Sequence, residues 1–289
     1  MMANMKLQTL VDAGRSDVSF SLQDRTMVLG SCFADNMGVR MEQLGFPVCV
    51  NPFGTLFNPV SVCNAVARLT SGAPFTEADC VEMGAGDGRI CSFSHHTSFS
   101  RPTAEAFLAD ANASLAHAAH FWQACNKVIV TLGTAWCFEH LDTGEVVANC
   151  LKRDPKEFRR RPLSVSETAA LLSGLVRRSD KEYVFTVSPV RHLADGAHGN
   201  QLSKSTLLLA AEAVCAAFPE RCAYFPAYEI VLDELRDYRF YAEDMVHPTA
   251  QTIDYLWSRF VDFAVPERDL PALETAAKAF RQSQHRPHH

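Results

Sequence analysis

Ser31, Asp244 and His247 are of the right types to share one reaction, although Ser31 lies near the start of the chain and the other two lie near its end. A serine hydroxyl attacks a carbonyl near neutral pH only if a base takes its proton. Histidine is the usual base, and a carboxylate behind it fixes the tautomer and stabilises the imidazolium. Asp244-Met245-Val246-His247 supplies base and carboxylate on one turn, and Pro248 stiffens the start of the next helix. Ser31 follows an apolar run, Thr26 to Leu29, through Gly30, and it opens a segment of helical period. That position places it where free N–H groups and a positive dipole end stabilise an oxyanion. Capping the helix is the alternative employment of a serine at such a turn.

An oxyanion hole built on Ser31 needs further donors. Gly54, which has no Cβ to obstruct approach, and Thr134 after a later strand are the candidates, with tight-turn chemistry as the competing reading of both. His95, His96, Arg191 and His192 lie in loops leaving predicted strands and are candidates for substrate contact or for structural hydrogen bonding. Two rivals stay open on the residues alone. Asp195-Gly196-Ala197-His198 repeats the Asp-x-x-His pattern, but glycine beside both partners leaves them mobile, whereas the aromatic run Tyr238 to Tyr241 can pack behind Asp244. Cys32 is a second potential nucleophile, since a thiol at a helix N-terminus can have a lowered pKa. Its side chain is expected to face the sheet–helix interface.

Short β-rich runs alternate with longer segments of helical period, the pattern of a parallel sheet covered by helices on both faces. Strands are expected at Thr26–Leu29, Val48–Val50, Lys127–Leu132, Tyr183–Val187 and Cys222–Phe225. Helices are expected at Phe33–Leu44, Val60–Leu69, Thr103–Trp122, from Ser164 through Arg177, at Ser203–Phe218 and from Pro248 to about Phe263. Ser164 and Glu167 form a capping box. Glu77–Ser94 reads as an inserted hairpin, and Ala135–Phe138 with Val146–Ala148 as a second. One domain spans residues 1–281, with insertions near 77–99 and 135–163, and the tail 282–289 is expected to be disordered.

With 47% hydrophobic and 21% charged residues the chain has ordinary globular usage, which excludes extensive disorder. A net charge of -6 provides no field for nucleic acid or anionic lipid, and the basic run Arg159-Arg160-Arg161 reads as a solvated loop. No apolar run is long enough to span a membrane, and the first residues lack the core of a secretion signal, so a cytoplasmic location is expected. Ten cysteines without a CxxC pair point to reduced thiols and give no support to a metal site. The expected chemistry calls for no metal and no organic cofactor. Oligomeric state is unreadable.

Gly30-Ser31-Cys32-Phe33-Ala34 resembles the name-giving motif of the GSCFA family, and Asn51 to Pro59 (NPFGTLFNP) its second hallmark. The similarity continues through His95–Phe99, Thr131–Trp136, Ser188–His192 and Tyr238–Pro248. GSCFA proteins resemble a branch of the SGNH, or GDSL-like, esterase superfamily. This implies a three-layer α/β/α sandwich with a flavodoxin-like parallel sheet. It also implies Ser31 as nucleophile, Gly54 as the second-block glycine, and Asp244 with His247 as the terminal Asp-x-x-His. The third-block Asn is replaced by Thr134, a shorter side chain with one donor. The expected reaction is hydrolysis of an acyl ester, acetyl esters included, carried on a small molecule or a sugar; the alternative is a ligand-binding protein that keeps the sandwich with little or no turnover.

Overall fold

The computed structural model describes residues 8–284 apart from 85 and 87. Five short apolar segments form one parallel sheet: β1 (Thr26–Gly30), β2 (Val48–Val50), β5 (Lys127–Leu132), β9 (Glu182–Val187) and β10 (Cys222–Tyr224). Their spatial order is β2-β1-β5-β9-β10, the flavodoxin-like order in which the chain winds outward in both directions from β1. Strands buried on both faces need apolar residues at every position. Met27, Leu29, Val128, Val130, Tyr183 and Phe185 fill one core, and Val28, Ile129 and Val184 the other.

Helices α2 (Pro59–Ser71), α3 (Ala104–Ala124), α4 (Val165–Arg177) and α5 (Gly196–Ala217) cover the first face. The second is covered by α1 (Cys32–Gln43) and α7 (Ala250–Ala264), with α8 (Leu270–Gln284) against α1. Phe33 and Met37 of α1 meet Phe260 of α7 within that second core, each essentially without solvent contact. Each such side chain stabilises the fold by about 1.5–3 kcal/mol. Helix starts follow their caps, and Pro248 does not open the helix expected there: it bridges to Tyr241, and α7 begins two residues later at Ala250. Ser164 and Glu167 form the full capping box, and Thr249 accepts from Thr252 N to start α7.

Several boundaries differ from the sequence reading. The basic run is not a loop: Phe158–Pro162 is a strand, β8, antiparallel to β6 (Trp136–His140), which also pairs with β7 (Val146–Val147). Arg159 and Arg161 of β8 both pair with the Glu139 carboxylate across the ladder, which offsets the low strand propensity of a triple arginine. The earlier insertion is a small antiparallel pair, β3 (Val81–Glu82) with β4 (Ile90–Cys91), and residues 85 and 87 of its expected turn lie outside the described residues. Helix α5 begins at Gly196, seven residues before the expected start. Ala227–Glu229 forms a helical turn, α6, that continues as a wider turn to Leu235. Of the tail expected to be disordered, residues 282–284 belong to α8, and 285–289 lie outside the described residues.

Candidate functional site at the carboxyl edge of the sheet

β1 and β5 flank the point where the strand order reverses, the place where ligands bind in open α/β sheets. Gly30 ends β1 there with φ +130, and a Cβ on it would run into the Thr131 carbonyl, so only glycine fits. Ser31 follows as the N-cap of α1. Its Oγ accepts from Phe33 N at 3.3 Å and lies 3.0 Å from Thr131 Oγ1. The residue is 1% exposed.

Asp244 and His247 form a built pair. Nδ1 of the ring donates to Asp244 Oδ2 at 2.6 Å, while Oδ1 accepts from the backbone N–H groups of Val246 and His247. These hydrogen bonds hold the Asp244 carboxyl down at about 2. A carboxylate bonded to Nδ1 leaves Nε2 as the free basic nitrogen. The turn closes because Met245 adopts φ +57, a conformation that costs a side-chain-bearing residue of order 1–3 kcal/mol and persists only where its surroundings impose it. Those surroundings are Ala242 N bonded to His247 O, Arg191 N bonded to Val246 O and the Arg191 guanidinium bonded to Met245 O. Both side chains are about half exposed, and among the described residues no hydrogen bond joins the ring to Ser31.

The expected oxyanion donors are engaged elsewhere. Ser31 N–H donates to Thr131, Gly54 N–H to Asn51 O at 2.7 Å and Thr134 N–H to Phe57 O at 2.8 Å, while Thr134 Oγ1 is shared with Ser203 Oγ and Trp136 N. Gly54, at φ +79, packs so closely under His96 that a Cβ would strike that side chain. A donor the sequence reading missed is Asn58. Its Oδ1 caps α2 by accepting from Ser61 N, which fixes the amide orientation and leaves Nδ2 with no protein acceptor among the described residues. Asn58 is 5% exposed and lines a cleft beside Thr134. Its only sequence signal, Asn before Pro, is also that of an ordinary helix cap.

Lys204 was likewise not anticipated. It is 1% exposed, and its Nζ donates at 2.7 Å to the carbonyls of Gly133 and Ser188, which end β5 and β9. Burial pushes its pKa down to about 7, opposed by the nearby Cys32 thiol. Cys32 itself is half-buried. Burial and the Asp35 carboxylate raise its pKa, the opposite of what an activated thiol needs.

Of the four expected substrate contacts, His95 is withdrawn: it has no exposed surface, sits among Phe53, Phe75, Phe99 and Phe107, and bonds Ser92 Oγ through Nδ1. Burial lowers its pKa to about 3. His96 is half exposed over Gly54 and near Asp35. Arg191 and His192 line the cleft together with Asn58, Thr134, Trp136 and Val246, in a volume of about 730 Å³. His192 Nε2 is buried without a hydrogen-bond partner, and desolvation takes its pKa to about 4. Asp195 pairs with Arg160 at the start of α5, which removes it as a partner for His198.

No group of three or more His, Cys, Asp or Glu side chains gathers as a metal site, and no helix is long and apolar enough to cross a membrane, among the described residues. All ten cysteines are unpaired.

The sheet order defines a doubly wound α/β protein. Residues 25–260 match the GSCFA family, and the chain belongs to it. No curated protein and no solved structure matches the chain.

Proposed function

We propose that the protein is a serine-dependent hydrolase of acyl esters, active on a small-molecule or sugar ester, and a branch of the SGNH esterase superfamily. The observation that carries this reading is the Asp244–His247 pair, with its 2.6 Å hydrogen bond, its strained turn and the Nε2 that the bond through Nδ1 leaves free. Ser31 Oγ adds to the ester carbonyl carbon while its proton passes to His247 Nε2. The resulting oxyanion is met by the N-terminus of α1 and by Asn58 Nδ2. Collapse expels the alkoxide, which takes the proton from His247, and water then discharges the acyl-enzyme with the same base. Turnover requires Ser31 Oγ to rotate off Thr131 and the 238–248 segment to bring the ring to it. Unpaired cysteines favour a reducing, cytoplasmic setting for this reaction.

A second reading, a binding protein with little turnover, is favoured by the occupied N–H groups of Ser31, Gly54 and Thr134. Reaction with a fluorophosphonate probe, read by mass spectrometry, separates the two. Labelling at Ser31 that is lost in Ser31→Ala and slowed in His247→Ala supports the hydrolase. A folded protein that stays unlabelled supports the binder.

A further inference from the structure

The cleft beside the candidate site is roofed by the hairpin of β6 and β7 with β8 beside it, and floored by the loop after β9. Its walls carry Phe57, Trp136, Phe138, Leu193 and Val246. Phe138 is 37% and Leu193 38% exposed, two large, partly exposed apolar side chains lining one cavity. Two arginines lie around it, one of them ion-paired. Arg160 pairs with Asp195 and lies 4.2 Å over the Trp136 ring, and the Arg191 guanidinium is bonded to Met245 O. Apolar walls of this extent gain most from burying apolar ligand surface. Among the described residues, the polar groups on its lining without a protein partner include Asn58 Nδ2 and the buried His192 Nε2. An unpartnered buried nitrogen costs free energy until a ligand supplies its hydrogen bond.

We infer that this cleft holds an apolar acyl chain longer than acetyl, laid between the hairpin and Leu193, with a carbonyl oxygen presented to His192 and Asn58. A volume of about 730 Å³ lies well within the range of small-molecule sites and far exceeds the need of an acetyl group. The ligand's ester character rests on the function proposed above; the chain-binding cleft does not.

Methyl ketones are neutral and cannot be hydrolysed, and they keep the carbonyl acceptor. Calorimetric titration of Ser31→Ala with the series from 2-butanone to 2-nonanone should show affinity rising up to about fourfold per added methylene, the limit set by full burial. Leu193→Asp, at a half-exposed position that tolerates a carboxylate, should flatten the series even if Trp136→Ala proves unstable. His192→Phe should weaken every member by the same factor and leave the slope intact. Affinity independent of chain length, or a slope unmoved by Leu193→Asp, overturns the inference. Chain-graded binding in a protein whose wild type hydrolyses no ester would retain the cleft assignment and remove the hydrolase reading.

Discussion

Acid should unfold this protein earlier than its surface carboxylates alone would dictate, because His95 and His192 are held neutral. Their pKa values are lowered by burial from 6.5 to about 3 and about 4. The unfolded chain therefore binds protons that the folded chain refuses once the pH drops below 6.5. The resulting stability is complete above that value and is lost as pH falls toward the folded pKa values. Each histidine then contributes a slope of about 1.4 kcal/mol per pH unit. Between pH 7 and pH 5 the two together remove about 4 kcal/mol, a large part of the ~5–15 kcal/mol of a typical domain. Urea unfolding followed by circular dichroism at half-unit pH steps measures the slope. Replacing the bonded pair together, Ser92→Ala with His95→Leu, exchanges a polar contact for apolar atoms in the same phenylalanine nest and should cost little at pH 7. The same variant should bring the slope down from two protons to one. An unchanged slope in the double variant, or a His95 proton resonance titrating near pH 6.5, would refute the burial argument.

Lys204→Met leaves the Gly133 and Ser188 carbonyls without their donor and should destabilise by about 2–4 kcal/mol in urea. It should also abolish a rise in stability with pH between about 7 and 10.5, where the unfolded chain alone keeps that lysine protonated. Gly30→Ala forces a Cβ toward the Thr131 carbonyl at φ +130 and should cost at least about 2 kcal/mol by the same measurement. Thr131→Val removes the hydroxyl that engages Ser31 Oγ; fluorophosphonate labelling should quicken by up to about tenfold, the equivalent of one neutral hydrogen bond, and slower labelling would mean that Thr131 orients the nucleophile instead.

The sheet was legible because each of its strands is a short apolar run punctuated by glycine, proline or a polar turn, and burial on both faces demands that pattern. β8 was hidden because Phe-Arg-Arg-Arg-Pro carries no alternating apolar face; its stability comes from Glu139 on a neighbouring strand, a partner about twenty positions away in sequence. His95 and His192 look alike as letters beside predicted strands. Only packing makes one the centre of a phenylalanine nest and sets the other in a cleft wall. Asn58 was hidden by its second task, since the cap it provides through Oδ1 explains the residue fully until Nδ2 is seen to be free.

The distance between chemistry that is assembled and chemistry that is not lies between two segments of very different character. Asp244 and His247 form a complete pair on an exposed turn, whereas Ser31 is withdrawn under the sheet edge and engaged with Thr131. Joining them takes one neutral hydrogen bond, worth about 0.5–1.5 kcal/mol, and a shift of a surface segment anchored largely by backbone contacts to Arg191. On the hydrolase reading proposed above, a ligand in the cleft favours that rearrangement only by the amount that it binds the joined arrangement more tightly than the separated one.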